Sequence, residues 1–381
     1  MDWARYSTQI CLVSRAVDAN AIPIVNPATR PRKVIMLVSA QMRRERRHEW
    51  LQKAIHSVLG RECAIQIHDI ANENDIDGIR KLIDTVADDP QHQIFNITGG
   101  TKPMAIAAFM VCAVRRFPFF YLDIRSGVAD VFEKSVFDQD RHKERMALPP
   151  NLLKAYLSWH GLGVEDVRIS QPLDERNGLE LARRIFSFSD PKTLIGLLDA
   201  AVVKDSTNVF KENESARIRR EFHELMDWLS EKGFLTVGTD GALRVNTNKT
   251  DKKWLTGLWL ESYCRATLAR VLPAGTLIGF NVVKSVDERI GNEIDAMFLY
   301  GNCLHIVEVK AKGLLAGDVY KLGTIKENLG GLTARTCLLS SHPASDALKA
   351  RANKEGILVI DSEFVWDETL LAERFRQWIG I

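Results

Sequence analysis

Apolar positions in the first 135 residues fall into short dense runs separated by stretches with helical spacing. Gln9 to Ser14, Lys33 to Ser39, Ala64 to Ile70, Gln93 to Thr98 and Phe119 to Asp123 read as strands. Between them, Glu49 to Leu59 (stopped by Gly60), Ile76 to Ala87 and Lys102 to Arg116 have the spacing of helices. Strands alternating with helices at this interval predict an open, mainly parallel α/β sheet over residues 1–135. Such sheets bind ligands beyond the carboxyl ends of their strands.

The pattern changes after residue 136. Residues 136–250 are charged and mostly helical, with few strand signals. Arg219, Phe222, Leu225, Met226 and Leu229 keep one helical face, which Gly233 ends. Phe234 to Val237 and Leu243 to Val245, joined by Gly238-Thr239-Asp240-Gly241, make a hairpin. Helix plus hairpin resembles a winged-helix unit, read here as a connector between two domains rather than a DNA reader. Asn246 to Lys253 is polar and rich in breakers, a linker to a third segment, 251–381.

That third segment holds the densest chemistry. Met297 to Tyr300 and Cys303 to Val309 read as strands, with Gly301-Asn302 as a two-residue type II′ turn. A ladder centred on that turn sets Asp295 opposite Glu308 and Glu293 opposite Lys310. Side chains alternate across a strand, so all four share one face. Opposed Cβ atoms lie about 4.5–5.5 Å apart, near enough for two carboxylates to share one divalent cation. Without it, like charges repel and one carboxyl pKa rises. A cation on Asp295 and Glu308 would polarise a phosphate oxygen and acidify a water, with Lys310 positioning that water or neutralising charge.

A second feature closes the strand at Gln93. Thr98-Gly99-Gly100-Thr101-Lys102 runs into Pro103 and a helix, and lacks the spacing of either a Walker A or a Gly-x-Gly-x-x-Gly motif. Helix-start amides with Thr98, Thr101 and Lys102 form a phosphate-accepting loop. Ser14, Ser39 and Gln41, at other strand ends, are candidates to line the same crevice. The basic run Arg43-Arg44-Glu45-Arg46-Arg47-His48 reads first as a solvated helix entrance.

Composition narrows these readings. With 51 Lys and Arg against 49 Asp and Glu, net charge is +2, so any nucleic-acid contact must be local rather than a global basic field. The six cysteines form no CxxC pair, which argues against a zinc site or disulfide scaffold and for a reducing compartment. No run reaches the ~20 apolar residues of a membrane span. The first residues carry no apolar stretch of signal-peptide length, so a cytoplasmic protein is expected.

Asp295, then Glu308-Val309-Lys310, resembles the site of the PD-(D/E)xK nuclease superfamily. Joined to the Thr98 to Lys102 loop, Trp259-Leu260-Glu261, Asn292-Glu293-Ile294-Asp295, and Tyr320-Lys321-Leu322 with Leu329-Gly330-Gly331, the chain resembles CRISPR-associated nucleases. These join an N-terminal CARF domain to a C-terminal PD-(D/E)xK domain. The resemblance implies a Rossmann-like sensor over 1–135 and an αβββαβ nuclease core over 251–381. It also implies Glu261 as a third metal-site carboxylate, Mg²⁺ or Mn²⁺ as cofactor, and a homodimer binding cyclic tetra-adenylate on its two-fold axis. The expected activity is cleavage of single-stranded DNA, RNA or nicked duplex DNA. Two rivals remain open: a nucleotide-responsive regulator with an inactive nuclease fold, and a sensor that degrades its own cyclic ligand.

Overall fold

The computed structural model describes residues 2–133, 141–160, 162–163, 168–170, 175–248, 251–285, 291–330 and 334–381. The boundaries at 135/136 and 250/251, and Lys249, Thr250 and Gly331, lie outside the described residues. Two compact units emerge. One is Met1–Asp166 with Val283–Gly291 and Leu299–Leu304; the other is Val167–Val282 with Asn292–Phe298 and His305–Ile381.

The first unit begins with β1 (Thr8–Leu12), α1 (Asp18–Val25), β2 (Lys33–Ser39), α2 (Ala40–Arg44) and α3 (Arg47–Leu59). It continues through β3 (Ala64–Ile70), α4 (Ile76–Val86), β4 (Gln93–Asn96) and α5 (Lys102–Arg115). β5 (Phe119–Asp123), β6 (Val128–Phe132), β7 (Arg141–Arg145), α6 (Leu153–Trp159) and β8 (Leu162–Gly163) complete it. The sheet order is β3-β2-β1-β4-β5-β6-β7. The strands from β3 to β5 run parallel, and β6 and β7 add on antiparallel. β1 and nearly all of β2 are buried, as befits parallel strands covered on both faces. Ile10, Leu12, Ile35, Leu37 and Phe95 pack there against Ile79 and Ile83 of α4 and Met104 and Ala108 of α5.

The order reverses between β1 and β4. Their carboxyl ends therefore open the crevice where sheets of this kind take ligands.

The second unit holds β9 (Arg168–Ile169), α7 (Arg176–Phe186), α8 (Pro191–Lys204), α9 (Ala216–Glu231), β10 (Leu235–Val237) and β11 (Leu243–Val245). β10 and β11 pair antiparallel, so the expected helix-and-hairpin unit forms. A π-helical turn, Trp254–Leu258, leads into α10 (Trp259–Val271). β12 (Ile278–Ser285), β13 (Gly291–Tyr300), β14 (Cys303–Lys310), α11 (Ala316–Gly330) and β15 (Arg335–Ser340) follow. From α10 onward this is the αβββαβ order. The end of the chain is α12 (Asp346–Lys354), β16 (Ile357–Ile360), α13 (Ser362–Val365) and α14 (Glu368–Ile379). The sheet runs β16-β15-β14-β13-β12, with β14, β15 and β16 parallel.

The turn between β13 and β14 differs from the expected type II′. Gly301 and Asn302 both have positive φ, 55° and 63°, which is the type I′ form. Asn302 tolerates the left-handed region better than most residues, and here its side chain is also employed. It donates to the Met146 carbonyl and accepts from the Leu148 amide, 2.7 Å in each case.

Candidate active site and ligand loop

β13 and β14 bring Asp295 and Glu308 onto one buried patch, with exposures of only 7% and 2%. Phe298 and His305, opposed in the register counted from the turn, stack 4.7 Å apart. Asp295 Oδ2 accepts the Val309 amide at 2.6 Å, tying the carboxylate across the hairpin. Burial pushes the Asp295 carboxyl well above its ordinary range. The charges of Glu261 and Glu308 add to that push, and the Val309 bond opposes it. Glu308 Oε1 accepts two ammonium groups, Lys310 Nζ at 2.7 Å and Lys321 Nζ at 2.8 Å. Burial alone would lower Lys310, but its hydrogen bond and charge contact with Glu308 outweigh that and raise it.

Glu261 arrives from the first turn of α10, whose start the π-helical turn sets; such turns recur at functional sites. Burial drives its carboxyl up to about 7 against the pull of Arg265, and the charge of Glu293 adds to the rise. Arg265, one helical turn on, is buried and organises the patch. It donates to Glu175 at 2.8 Å, to Glu261 at 3.4 Å and to the Asp295 carbonyl at 2.8 Å. Glu293 itself is exposed.

Among the described residues, no three His, Cys, Asp or Glu side chains stand at metal-coordinating geometry. Asp295 and Glu308 nonetheless suit a hard cation, since Mg²⁺ is commonly held by one or two carboxylates with waters completing its shell. Two buried acids, one driven towards its neutral form, are what such a cation relieves. Glu261 is turned towards Arg265, so its place as a third ligand is the least direct of the three.

In the first unit, the loop after β4 lies at the β1/β4 switch point. A Cβ on Gly99 would come 2.2 Å from the Leu12 carbonyl oxygen and 3.3 Å from Ser14 Oγ, so only glycine fits against β1. Gly100 has φ of +80°, the left-handed region. Beneath them, Asn96 donates to the Ala19 carbonyl and to Asn20 Oδ1, and Asn20 donates to the Leu12 carbonyl. The hydroxyls are committed locally. Thr98 Oγ1 accepts the Leu122 amide; Thr101 caps α5 and donates to the Glu73 carbonyl. Lys102 is exposed at the first turn of α5.

Ser14 lies against the loop, with its hydroxyl donating to the Ala16 carbonyl, whereas Ser39 and Gln41 bond elsewhere. Ser39 is buried as the N-cap of α2, accepting the Met42 amide. Gln41 donates to Glu45, which also receives Arg15. Those bonds, Arg15 foremost, hold the Glu45 carboxyl down at about 2. From sequence, Lys321 is read only as part of the Tyr320-Lys321-Leu322 motif, with no role at the site, and Arg265, Glu175, Asn20 and Asn96 are given none either. Arg265 had a signal, four residues after Glu261 on one helix face.

Fold and site together define a parallel α/β ligand-binding domain followed by a nuclease core of the PD-(D/E)xK kind. Residues 8–148 match the family model of the Card1 CARF domain, and residues 248–378 that of the Card1-like endonuclease domain. The chain belongs to this family of CARF-domain endonucleases. It is similar to Can2 from Sulfobacillus thermosulfidooxidans, whose structure holds cyclic tetra-adenylate. Identity is 21% and TM-score 0.76, over 100% of this chain and 99% of that one. A Vibrio cholerae protein of known crystal structure is similar over 98% of this chain and 99% of its own, at 20% identity and TM-score 0.78. A type III CRISPR defence DNA nuclease activated by cyclic oligoadenylate is similar at 18% identity and TM-score 0.53. That match covers 89% of this chain and 47% of the other. No curated protein sequence matches the chain. Among the described residues, no helix is long and apolar enough to cross a membrane.

Proposed function

We propose that the protein is an endonuclease of type III CRISPR antiviral defence, dependent on Mg²⁺ or Mn²⁺ and switched on by cyclic tetra-adenylate. The observation that carries this reading is the buried Asp295–Glu308 pair, with Lys310 on Glu308, inside a Card1-like endonuclease domain. Asp295 and Glu308 would hold the cation, with Glu261 at its edge. When bound, the cation supplies Lewis acidity to a phosphodiester and to a water. Lys310 orients the attacking water or offsets negative charge gathering on the phosphate. Val309 and Arg265 keep Asp295 in place through the Val309 amide and the Asp295 carbonyl.

The ligand's phosphates would meet the amides of Gly99 to Lys102, the Lys102 ammonium and Ser14. Thr98 and Thr101 use their hydroxyls to build the loop, which favours binding over ligand degradation. A homodimer is the expected assembly. Ile106, Phe109, Met110 and Val114, spaced on one face of α5, are exposed on the helix that starts at this loop. The connector, residues 136–250, is read as a bridge: on α9, Arg217 pairs with Glu221 and Arg220 with Glu224, leaving little net field for DNA. Single-stranded DNA, RNA and nicked duplex DNA are the candidate substrates. Six free cysteines, five of them buried, suit the cytoplasm.

Incubation with Mn²⁺ and labelled single-stranded DNA or RNA, with and without cyclic tetra-adenylate, tests the reading. Cleavage only with the ligand, lost in Glu308→Ala, is expected. Ligand-independent cleavage would discard the sensor, and ligand binding without cleavage would make the protein a nucleotide-responsive regulator.

A further inference from the structure

Lys321 has no place in the metal-and-lysine scheme above, yet its ammonium reaches the same oxygen of Glu308 as Lys310 does. The two lysines come from different elements, Lys310 from β14 and Lys321 from α11. One carboxylate thus faces two cations at contact distance. The other nearby acids are engaged elsewhere, Asp295 with the Val309 amide and Glu261 with Arg265. Lys310 already satisfies Glu308, so a second ammonium brings like-charge repulsion for a partly exposed ion pair worth little by itself. The Lys321 side chain is 45% exposed and that of Glu308 only 3%, so this ammonium stands between the buried carboxylate and solvent. Two ammonium groups on one buried carboxylate, one of them open to solvent, are a place made ready for an anion.

We propose that Lys321 is a second phosphate-binding catalytic lysine. Its ammonium, parked on Glu308 before substrate arrives, donates to a non-bridging oxygen of the scissile phosphate. It stays protonated throughout, so no proton moves through it. The placement follows from charge and exposure: a cation held by Asp295 and Glu308 would compete with both lysines for the Glu308 oxygen, and of the two Lys321 is the more open to an incoming phosphate. This rests on the nuclease reading, but binding can test it without cleavage.

Binding of a fluorescent single-stranded oligonucleotide, with Ca²⁺ as the probe cation, would be followed by anisotropy across a salt series. Wild type, Lys321→Ala, Lys321→Arg and Glu308→Ala would be compared, with cyclic tetra-adenylate present. Loss of one phosphate contact in Lys321→Ala should lower the salt slope by roughly one unit, and Lys321→Arg should restore it. In Mn²⁺, Lys321→Ala should lower kcat by about 10²-fold, the loss typical of one charge-stabilising donor. An unchanged salt slope in Lys321→Ala, or a wild type that binds no oligonucleotide, would overturn the proposal. So would an Mn²⁺ affinity that falls in Lys321→Ala as far as in Glu308→Ala, since Lys321 would then only orient the carboxylate. Cleavage that survives Glu308→Ala would sink the assignment of Asp295 and Glu308 as the catalytic site instead, while a reduced salt slope would leave the phosphate contact of Lys321 standing.

Discussion

Arg265 donates from Nη1 to the main-chain carbonyl of Asp295 at 2.8 Å, so a helix side chain fixes the backbone that presents a candidate metal ligand. The same guanidinium spans Glu175 and Glu261, a fork that only arginine offers. Glu175 is 2% exposed, and removing Arg265 leaves that charge buried without its partner. Arg265→Ala should therefore destabilise the protein by about 3–5 kcal/mol, the usual loss when a buried pair is broken. Arg265→Lys keeps the charge but cannot span three acceptors, and should weaken Mn²⁺ binding with a smaller loss of stability. Urea unfolding and calorimetric Mn²⁺ titration of both variants check this.

Much of this architecture was legible because each element carried its own signal. β2 and β3 appear with the bounds expected of them, β2 as a buried apolar run and β3 by the alternation of Ile65 and Ile67 with Gln66 and His68. α1 escaped for a physical reason: all eight residues from Asp18 to Val25 are buried and Pro23 sits among them, so no polar face marks a helical period. β7 is Arg-His-Lys-Glu-Arg, with no apolar residue, and is a strand only because β6 pairs with it. At the candidate site, turn-centred counting brought Asp295 and Glu308 together, although Gly-Asn could not by itself choose between type I′ and type II′. Lys321 comes from another element, and its approach to Glu308 is written in no local spacing.

Glu261 and Asp295 make a pH signature. Burial lifts Glu261 from its ordinary 4.5 to about 7, and Asp295 rises with it. Between those values the folded carboxyl keeps a proton that the unfolded chain has lost. Metal-free stability from this group is therefore present at low pH and is lost as pH rises from about 4.5 through 7. Glu261→Gln should flatten that fall, melting higher than wild type at pH 8 in chelator and no higher at pH 5. Mn²⁺ should raise the wild-type Tm more at pH 8 than at pH 5, because ligation needs the ionised carboxylates. Equal pH profiles for the two proteins would remove Glu261 from the coupled patch.

Gly99 separates sensing from cutting. An Ala Cβ there would press on the Leu12 carbonyl, and β1 cannot retreat from the centre of its sheet. The loop must shift instead, at about 1–3 kcal/mol of strain. Cyclic tetra-adenylate should bind Gly99→Ala at least roughly tenfold more weakly. Mn²⁺ affinity should not change, because Asp295 and Glu308 belong to the other unit. Calorimetry with each ligand separately distinguishes this from general misfolding. Wild-type affinity for the cyclic ligand would show that the loop after β4 is not where its phosphates rest.

Asn302 offers a way to disturb activation without touching either site. The hairpin tip Leu299–Leu304 is counted with the first unit, where Asn302, 1% exposed, is held by Met146 and Leu148. From that anchor β13 leads back to Asp295 and β14 leads on to Glu308, so the tip and the two carboxylates share one antiparallel ladder. Asn302→Asp keeps the acceptor for the Leu148 amide but loses the donor to the Met146 carbonyl. Leaving that carbonyl unpaired should reduce stability by about 1–3 kcal/mol. Asn302→Gly keeps the left-handed turn and loses both bonds, so it separates the anchor from the turn geometry. Both variants should bind cyclic tetra-adenylate and Mn²⁺ as wild type does. Cleavage at saturating ligand should nevertheless fall, because the strands that carry Asp295 and Glu308 end at this anchor. Cleavage rates equal to wild type in both variants, measured at saturating ligand, would mean that the tip only seals the fold.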